Sequence, residues 1–296
     1  MKHVKMLLLF SLIALLAFQG CDTGAKSERP AGFDSGKELR AYFHWSPERL
    51  PLVSAHRGGP VPGYAENAIR TFQRSADVGA AIIECDVRQS KDGYLVLMHD
   101  RTLNRTTTGS GNISDYTLEE LKRLELVDEH KKPTGDKIPT LQEAFEWARE
   151  KAILHLDIKE PVEPSLIVSE IRKADALPFA VVIVYNFERM MQYYHLEPEL
   201  MMSVSAGSVK SVEMLQTYEI PMENLQIFVG VSEPDPQVYK MLHDENRYCI
   251  LGTMHNLDHK ALKEGSHVYM ELFQNGADII STDQVDLAAE AVRVMQ

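Results

Sequence analysis

Cysteine is scarce in this 296-residue chain, with only Cys21, Cys85 and Cys249 present. Cys85 and Cys249 lie inside apolar runs, where buried free thiols are common, and nothing in their spacing argues for a disulfide. Basic residues are in deficit as well. The 31 Lys and Arg against 43 Asp and Glu give a formal net charge of −12. That argues against nucleic acid as a partner, because phosphate-backbone binding rests on an excess of Lys and Arg. No glycine-rich phosphate loop of the doubly wound nucleotide binders is present, and there is no internal repeat. The apolar run Met6–Phe18 falls short of the roughly 20 residues that a membrane span needs. What remains is ordinary globular material, 44% hydrophobic and 25% charged, and long enough to bury a sizeable core.

The first residues read as an export signal. Lys2 and Lys5 precede Met6–Phe18, and Gln19-Gly20-Cys21 follows, which is a basic region, an apolar region and a small residue before a cleavage point. A cysteine directly after the apolar stretch resembles the lipobox of bacterial lipoproteins, although Phe18 stands where leucine is usual. The resemblance implies cleavage before Cys21, a lipid on that residue, and an exported protein anchored to a membrane of the cell envelope, periplasmic or at the cell surface. Residues 1–20 are then the signal peptide. Residues 21–50, rich in Gly, Ser, Lys and Glu without a sustained period, read as a tether. One domain is expected over residues 51–296.

From Leu52 onward, short β-rich apolar runs alternate with helical patterns. The strand candidates are Leu52–His56, Ala81–Val87, Ile153–Ile158, Val181–Tyr185, Leu200–Val204, Leu225–Val229, Tyr248–Gly252 and Asp278–Thr282. Helical patterns cover Glu66–Val78, Leu141–Lys151, Pro164–Ala174, Glu188–Tyr194, Ser208–Tyr218, Asp235–Glu245 and Ala261–Asn275. Alternation of this kind makes parallel sheets, and eight such units predict an α/β (β/α)₈ TIM barrel. Tyr94–His99 is a ninth run, joined to Ala81–Ser90 by only Lys91-Asp92-Gly93. So short a link excludes a parallel crossover and predicts a hairpin at the C-terminal mouth. With Lys91-Asp92 as its turn, Ser90 pairs with Gly93 and His99 faces Glu84. Arg101–Pro139 has no clear strand and reads as a loop insertion covering part of the mouth. Arg101 and Arg105 are candidates there for touching an anionic substrate.

The chemistry is concentrated between Leu52 and Asp100. Two apolar runs end in histidine, His56 and His99, and Arg57 follows the first. Glu84 and Asp86 are two apart on a strand and therefore share a face. Downstream, His155, Asp157 and Lys159 share one parity of a strand, while Leu154, Leu156 and Ile158 share the other. An inward row of that kind is costly unless its groups pair or bind something. Asp157 beside Glu84 and Asp86 completes a three-carboxylate oxygen site for a hard cation, and Lys159 can reach a phosphate oxygen. Further polar candidates at strand ends are Tyr185, Ser203, Ser205, His255 and Asp283, where barrel enzymes keep their sites.

At His56-Arg57-Gly58, Glu66-Asn67, Glu84-Cys85-Asp86, His99-Asp100 and Asp157-Ile158-Lys159, the chain resembles the glycerophosphodiester phosphodiesterase family. The resemblance implies a barrel with a metal at its mouth and hydrolysis of a small glycerophosphodiester to glycerol phosphate and an alcohol. It makes Glu84, Asp86 and Asp157 ligands of one divalent cation, Mg²⁺ or Ca²⁺. His56 and His99 become the acid–base pair, and Arg57 and Lys159 phosphate ligands. Asp157 departs from the glutamate usual in the family, Ala68 from its threonine, and Leu251-Gly252-Thr253-Met254 from a Trp-Thr type of stretch. Action on intact or lyso phospholipids, and binding without catalysis, are the competing expectations.

Overall fold

A computed structural model describes residues 32–296; the expected signal peptide and Cys21 lie outside the described residues. The strands are β1 (Leu52–Ala55), β2 (Ile82–Gln89), β3 (Leu95–Leu97), β4 (Ile153–Ile158) and β5 (Ala180–Val184), then β6 (Met201–Ser205), β7 (Leu225–Gly230), β8 (Cys249–Gly252) and β9 (Ile279–Thr282). All but β3 are parallel and run in the order β1-β9-β8-β7-β6-β5-β4-β2, and β1 pairs with β2 to close the ring. This is the eight-stranded barrel that the alternation predicted, with helices packed around it.

The helices begin where their capping residues stand. Thr140 and Ser208 form reciprocal capping boxes at α4 (Leu141–Ala148) and α7 (Val209–Leu215). Asn186 caps α6 (Phe187–Leu196), and Pro164 opens α5 (Pro164–Lys173), where a missing N–H costs nothing. The pattern read as one helix over residues 261–275 is two, α9 (Asn256–Glu264) and α10 (His267–Asn275), broken at Gly265-Ser266. The remaining helix of the outer layer at the chain end, α11 (Val285–Met295), packs on β1 and on α2 (Ile69–Val78).

Alternation along the strands builds the two cores. Ile83, Cys85, Val87, Leu154 and Leu156 point outward into the main core between barrel and helices. Ile82, Ile153, Val181, Met201, Ile250 and Ile279 fill the barrel at the strands' N-terminal end. That end is closed by α1 (Gly36–Tyr42), whose Leu39 and the following Phe43 are fully buried against the same layer. Residues 32–50 were expected to be tether, and this part of them is folded. Burial of the two side chains contributes on the order of 1.5–3 kcal/mol each. Trp45 extends the lock: it stacks on His243 at 4.0 Å and donates to Asp278 Oδ1 at 2.7 Å. His243, Cys249 and Asp278 place ligand-type atoms within 4.8 Å of one another. Asp278 is already filled, since its Oδ2 accepts from His243 Nε2 at 2.9 Å and from the Cys249 N–H at 2.7 Å. This cluster ties the N-terminal segment to the barrel floor.

The hairpin of β2 and β3 forms, with a register one residue away from the expected one. Val87 faces Leu97 and Gln89 faces Leu95, so Ser90 pairs with Tyr94 and not with Gly93. The loop holds three residues, Lys91-Asp92-Gly93. Gly93 takes a left-handed φ of 91°, the position where such loops favour glycine. His99 is therefore not opposite Glu84. The insertion that follows is an ordered cap, in which Leu103, Ile113, Leu121, Leu126 and Ile138 form a small core with Val96 and Met98.

Candidate active site

The strand register decides which side chains meet. In the pairing of β2 with β4, Glu84 lies beside His155 and Asp86 beside Asp157, on strands about 4.8 Å apart. Glu84, Asp86 and Asp157 are all buried, and a carboxylate oxygen of each falls within 4.8 Å of the others. Lys159, one alternation further up β4, reaches back with Nζ 2.8 Å from Asp86 and 2.5 Å from Asp157. Its ammonium, with a hydrogen bond from Asn67, outweighs the burial that would raise the Asp86 pKa and holds that carboxyl below its usual range. Glu84 has no such cation. Burial first, and the Asp86 charge second, push its pKa up to about 8.

Two residues lock the carboxylates. Asn67, itself buried and in the left-handed region (φ 57°), donates from Nδ2 to Asp86 Oδ2 at 2.7 Å and accepts from the Asp86 N–H at 2.9 Å. Tyr185 donates its hydroxyl to Asp157 Oδ2 at 2.8 Å. Asp157 Oδ1 is buried and has no hydrogen-bond partner. An orphaned carboxylate oxygen beside two other buried carboxylates costs free energy unless a cation takes it. The all-oxygen donor set fits a hard divalent cation such as Mg²⁺ or Ca²⁺.

His56 and Arg57 are presented by a tight turn at the end of β1. Arg57 has φ 51° and Gly58 φ 85°; a Cβ on Gly58 would lie 2.4 Å from the Phe72 ring, so the turn requires glycine there. The Arg57 N–H donates to Glu84 Oε2 at 2.6 Å, which ties the turn to the carboxylates. Its guanidinium lies 3.9 Å from Asp86 and 3.4 Å from Glu66, and Nε is buried without a hydrogen-bond acceptor. The His56 Nδ1 is 2.7 Å from Asp283 Oδ1. A carboxylate there fixes Nδ1–H and leaves Nε2 without the ring proton. Burial alone would lower the His56 pKa, but the Asp283 hydrogen bond and the Glu84 and Asp283 charges outweigh it and raise the pKa above 6.5.

His99 arrives differently from the expected route. Strand β3 ends at Leu97, and the Met98 N–H still bonds to the Asp86 carbonyl at 2.9 Å. The chain then bends, and Arg88 grips the His99 carbonyl with Nε at 2.8 Å and Nη2 at 2.6 Å. This bend keeps His99 at the mouth. Its Nδ1 lies 2.8 Å from Asp100 Oδ1. Asp100 is clamped by Arg105, and Arg105 in turn donates twice to Glu66 at 2.7 Å. Arg105, a candidate for touching an anionic substrate, is committed to this lattice.

All seven expected residues gather around the mouth, next to a cavity of about 140 Å³ lined by Ser54, His56, Glu84, His155, Asp157 and Tyr185 among others. Larger hollows of about 660 and 510 Å³ lie at the floor of the barrel and hold none of them. Asp283, Asp100 and Asn67 are the site residues whose parts the sequence did not reveal. Asp283 stands immediately after β9, and Asp100 directly follows His99.

A family model for the "Glycerophosphoryl diester phosphodiesterase family" matches residues 56–240, more than half of the chain. The chain belongs to that family. A glycerophosphodiester phosphodiesterase of Bacillus subtilis is 31% identical over 222 residues, covering 68% of this chain and 72% of that protein. One from Caldanaerobacter subterraneus subsp. tengcongensis is 44% identical over 113 residues, 38% of this chain but only 46% of the relative's length. The crystal structure of a glycerophosphoryl diester phosphodiesterase from Parabacteroides distasonis superposes with a TM-score of 0.82 at 30% identity, over 90% of this chain and 94% of that one. The reaction class is accordingly that of a phosphoric diester hydrolase acting on glycerophosphodiesters. The family is metal-dependent, and the Glu84, Asp86 and Asp157 cluster offers the donors.

Proposed function

We propose that His56 and His99 are the acid–base pair of a glycerophosphodiester hydrolase that releases glycerol phosphate and an alcohol. The observation carrying this is the arrangement of two histidines, each with Nδ1 tied to its own carboxylate, around a buried cluster of three carboxylates and one lysine. Glu84, Asp86 and Asp157 hold the divalent cation, Mg²⁺ or Ca²⁺. When bound, it supplies charge stabilisation at the phosphoryl oxygens and a template for the substrate.

The chain's own residues do the remaining work. The orphaned Arg57 Nε and the Lys159 ammonium take the non-bridging oxygens as negative charge builds on them. One histidine accepts the proton of the glycerol hydroxyl next to the phosphate as that oxygen bonds to phosphorus. The other gives a proton to the departing alkoxide as the ester bond breaks. Water then opens the cyclic phosphate with the two roles exchanged. The Asp283 carboxylate at His56 Nδ1 stabilises the charged imidazolium and suits His56 to be the first proton donor. A hydroxyl nucleophile selects deacylated lipids, in which that hydroxyl is free.

The reading extends to the N-terminus. The basic residues Lys2 and Lys5, the apolar run and Cys21 support export and a lipid at Cys21. Replacing His56 or His99 by alanine is the direct test of the site. Turnover of glycerophosphocholine should fall at least about 1,000-fold while Mg²⁺ or Ca²⁺ binding, read by calorimetry, stays intact. Near-normal turnover in either variant refutes the assignment.

A further inference from the structure

We infer that the barrel mouth is turned away from the membrane that anchors the chain, so the enzyme takes glycerophosphodiesters from water and not lipids from its own bilayer. This rests on the proposed lipid at Cys21 and on the proposed reaction. The supporting observation is the side of the barrel on which the described chain begins. Phe33 packs into the floor layer with Leu39 and Phe43. Residues 32–36 border Arg149, Glu150, Asp175, Leu177 and Glu199, in the loops that lead into β4, β5 and β6. Arg40 holds the Glu199 carbonyl at 2.5 Å. The carboxylates and histidines stand at the opposite ends of the strands.

Chain length turns this opposition into a limit. From Cys21 to Gly32 there are 11 peptide links, which reach at most about 40 Å when fully extended. A folded unit of the 265 residues from Gly32 to Gln296 has a radius of gyration of about 18 Å, hence a diameter of about 47 Å. With the mouth pressed on the bilayer, the floor would stand about 47 Å above it. The link is shorter than that straight line, and the path around the outside of the barrel is longer still. The mouth therefore cannot lie face-down on the surface that holds Cys21. A glycerophosphodiester is water-soluble once both acyl esters are gone, so hydrolysis of those carboxylic esters must precede this enzyme.

The test uses the full-length lipidated protein in phosphatidylcholine vesicles with acceptor-labelled headgroups. Cys85 and Cys249 are fully buried, so a donor dye goes selectively to Lys91→Cys at the hairpin tip above the mouth or to Lys37→Cys on the floor helix. Strong transfer from position 37 with weak transfer from position 91 is expected; equal or stronger transfer from position 91 overturns the orientation. In the same vesicles, glycerophosphocholine added to the bulk should turn over at least about 100-fold faster than embedded long-chain lysophosphatidylcholine. Comparable rates overturn the inference. Absence of an acyl group on Cys21 by mass spectrometry removes the anchor and the inference with it, whatever the turnover. Loss of glycerophosphocholine turnover with the transfer pattern intact refutes the proposed reaction and leaves the orientation standing.

Discussion

Asp283 is the residue on which the proposed chemistry can be tested without touching a ligand or either histidine. Its Oδ1 lies 2.7 Å from His56 Nδ1, and its own N–H is held by Asp258 at 2.9 Å, so removing the carboxylate leaves the backbone in place. A hydrogen bond to a charged group is worth about 1.5–3 kcal/mol. With His56 22% and Asp283 38% exposed, solvent screening argues for the lower end of that range. A loss of about 1.5–2 kcal/mol corresponds to roughly a 10–30-fold fall in kcat for Asp283→Ala. Asp283→Asn should be worse, because an amide N–H offered to Nδ1 favours the tautomer with the proton on Nε2. The pH profile gives an independent reading. Asp283 raises the His56 pKa, and a proton donor must be charged, so activity persists below that pKa and is lost above it. Removing Asp283 should move the alkaline limb of kcat to lower pH. Glycerophosphocholine turnover across pH 5–9 reads both effects, with KM and cation affinity unchanged. If both variants fold and stay within threefold of the parent with an unshifted profile, the positioning role of Asp283 is wrong.

Four further outcomes follow from the packing. Asn67→Ala strands the buried Asp86 N–H and frees its carboxylate; thermal denaturation should show a cost of about 1–3 kcal/mol, and calorimetry a 10–100-fold weaker cation affinity, of the order found when outer-shell partners are lost. Gly58→Ala forces a side chain into a left-handed turn against Phe72; a loss of roughly 2–4 kcal/mol with loss of turnover is expected. Leu39→Ala empties a fully buried position in the barrel floor and should cost about 2–5 kcal/mol in urea unfolding while leaving KM unchanged. Glu84 binds its proton more tightly when folded, with a pKa of about 8 against 4.5. Its contribution is therefore present below about pH 4.5 and lost as pH rises toward 8, so the Tm of chelator-treated protein should fall across that window and recover on adding Mg²⁺ or Ca²⁺.

The barrel and the inward row of β4 were legible because both depend on periodicity. Leu154, Leu156 and Ile158 against His155, Asp157 and Lys159 is a two-residue alternation, and a strand with one face in the barrel can satisfy it in only one way. The hairpin register was not legible. Asp92-Gly93 serves a two-residue turn and a three-residue loop equally well, and the choice depends on Ser90 and Tyr94 meeting across the strands. Helix α1 shows only Leu39 and Phe43 as a fully buried apolar pair amid polar neighbours. Its stability comes from a barrel floor assembled from residues as distant in sequence as Ile82 and Ile279. Asp283 lies 227 residues from His56, and closure of β1 on β9 is what brings them together.

The charge count at the mouth explains why Asp86 and Glu84 shift in opposite directions although they stand two residues apart. Three carboxylates meet the Lys159 ammonium and, at 3.9 Å from Asp86, the Arg57 guanidinium, and neither cation is paired with Glu84. Lys159 spans Asp86 and Asp157 and cannot also serve Glu84. Glu84 therefore holds a proton: burial first, and the neighbouring Asp86 charge second, push its pKa up to about 8. A divalent cation held by the three carboxylates would supply positive charge at Glu84 in place of that proton. Below pH 8, cation binding and deprotonation of Glu84 are then a single coupled event. Asp157 fits this account, because a shorter side chain within reach of Lys159 and Tyr185 leaves Oδ1 as the buried orphan. Lys159 pairs with Oδ2 and leaves Asp157 Oδ1 as the oxygen that would be offered to a cation.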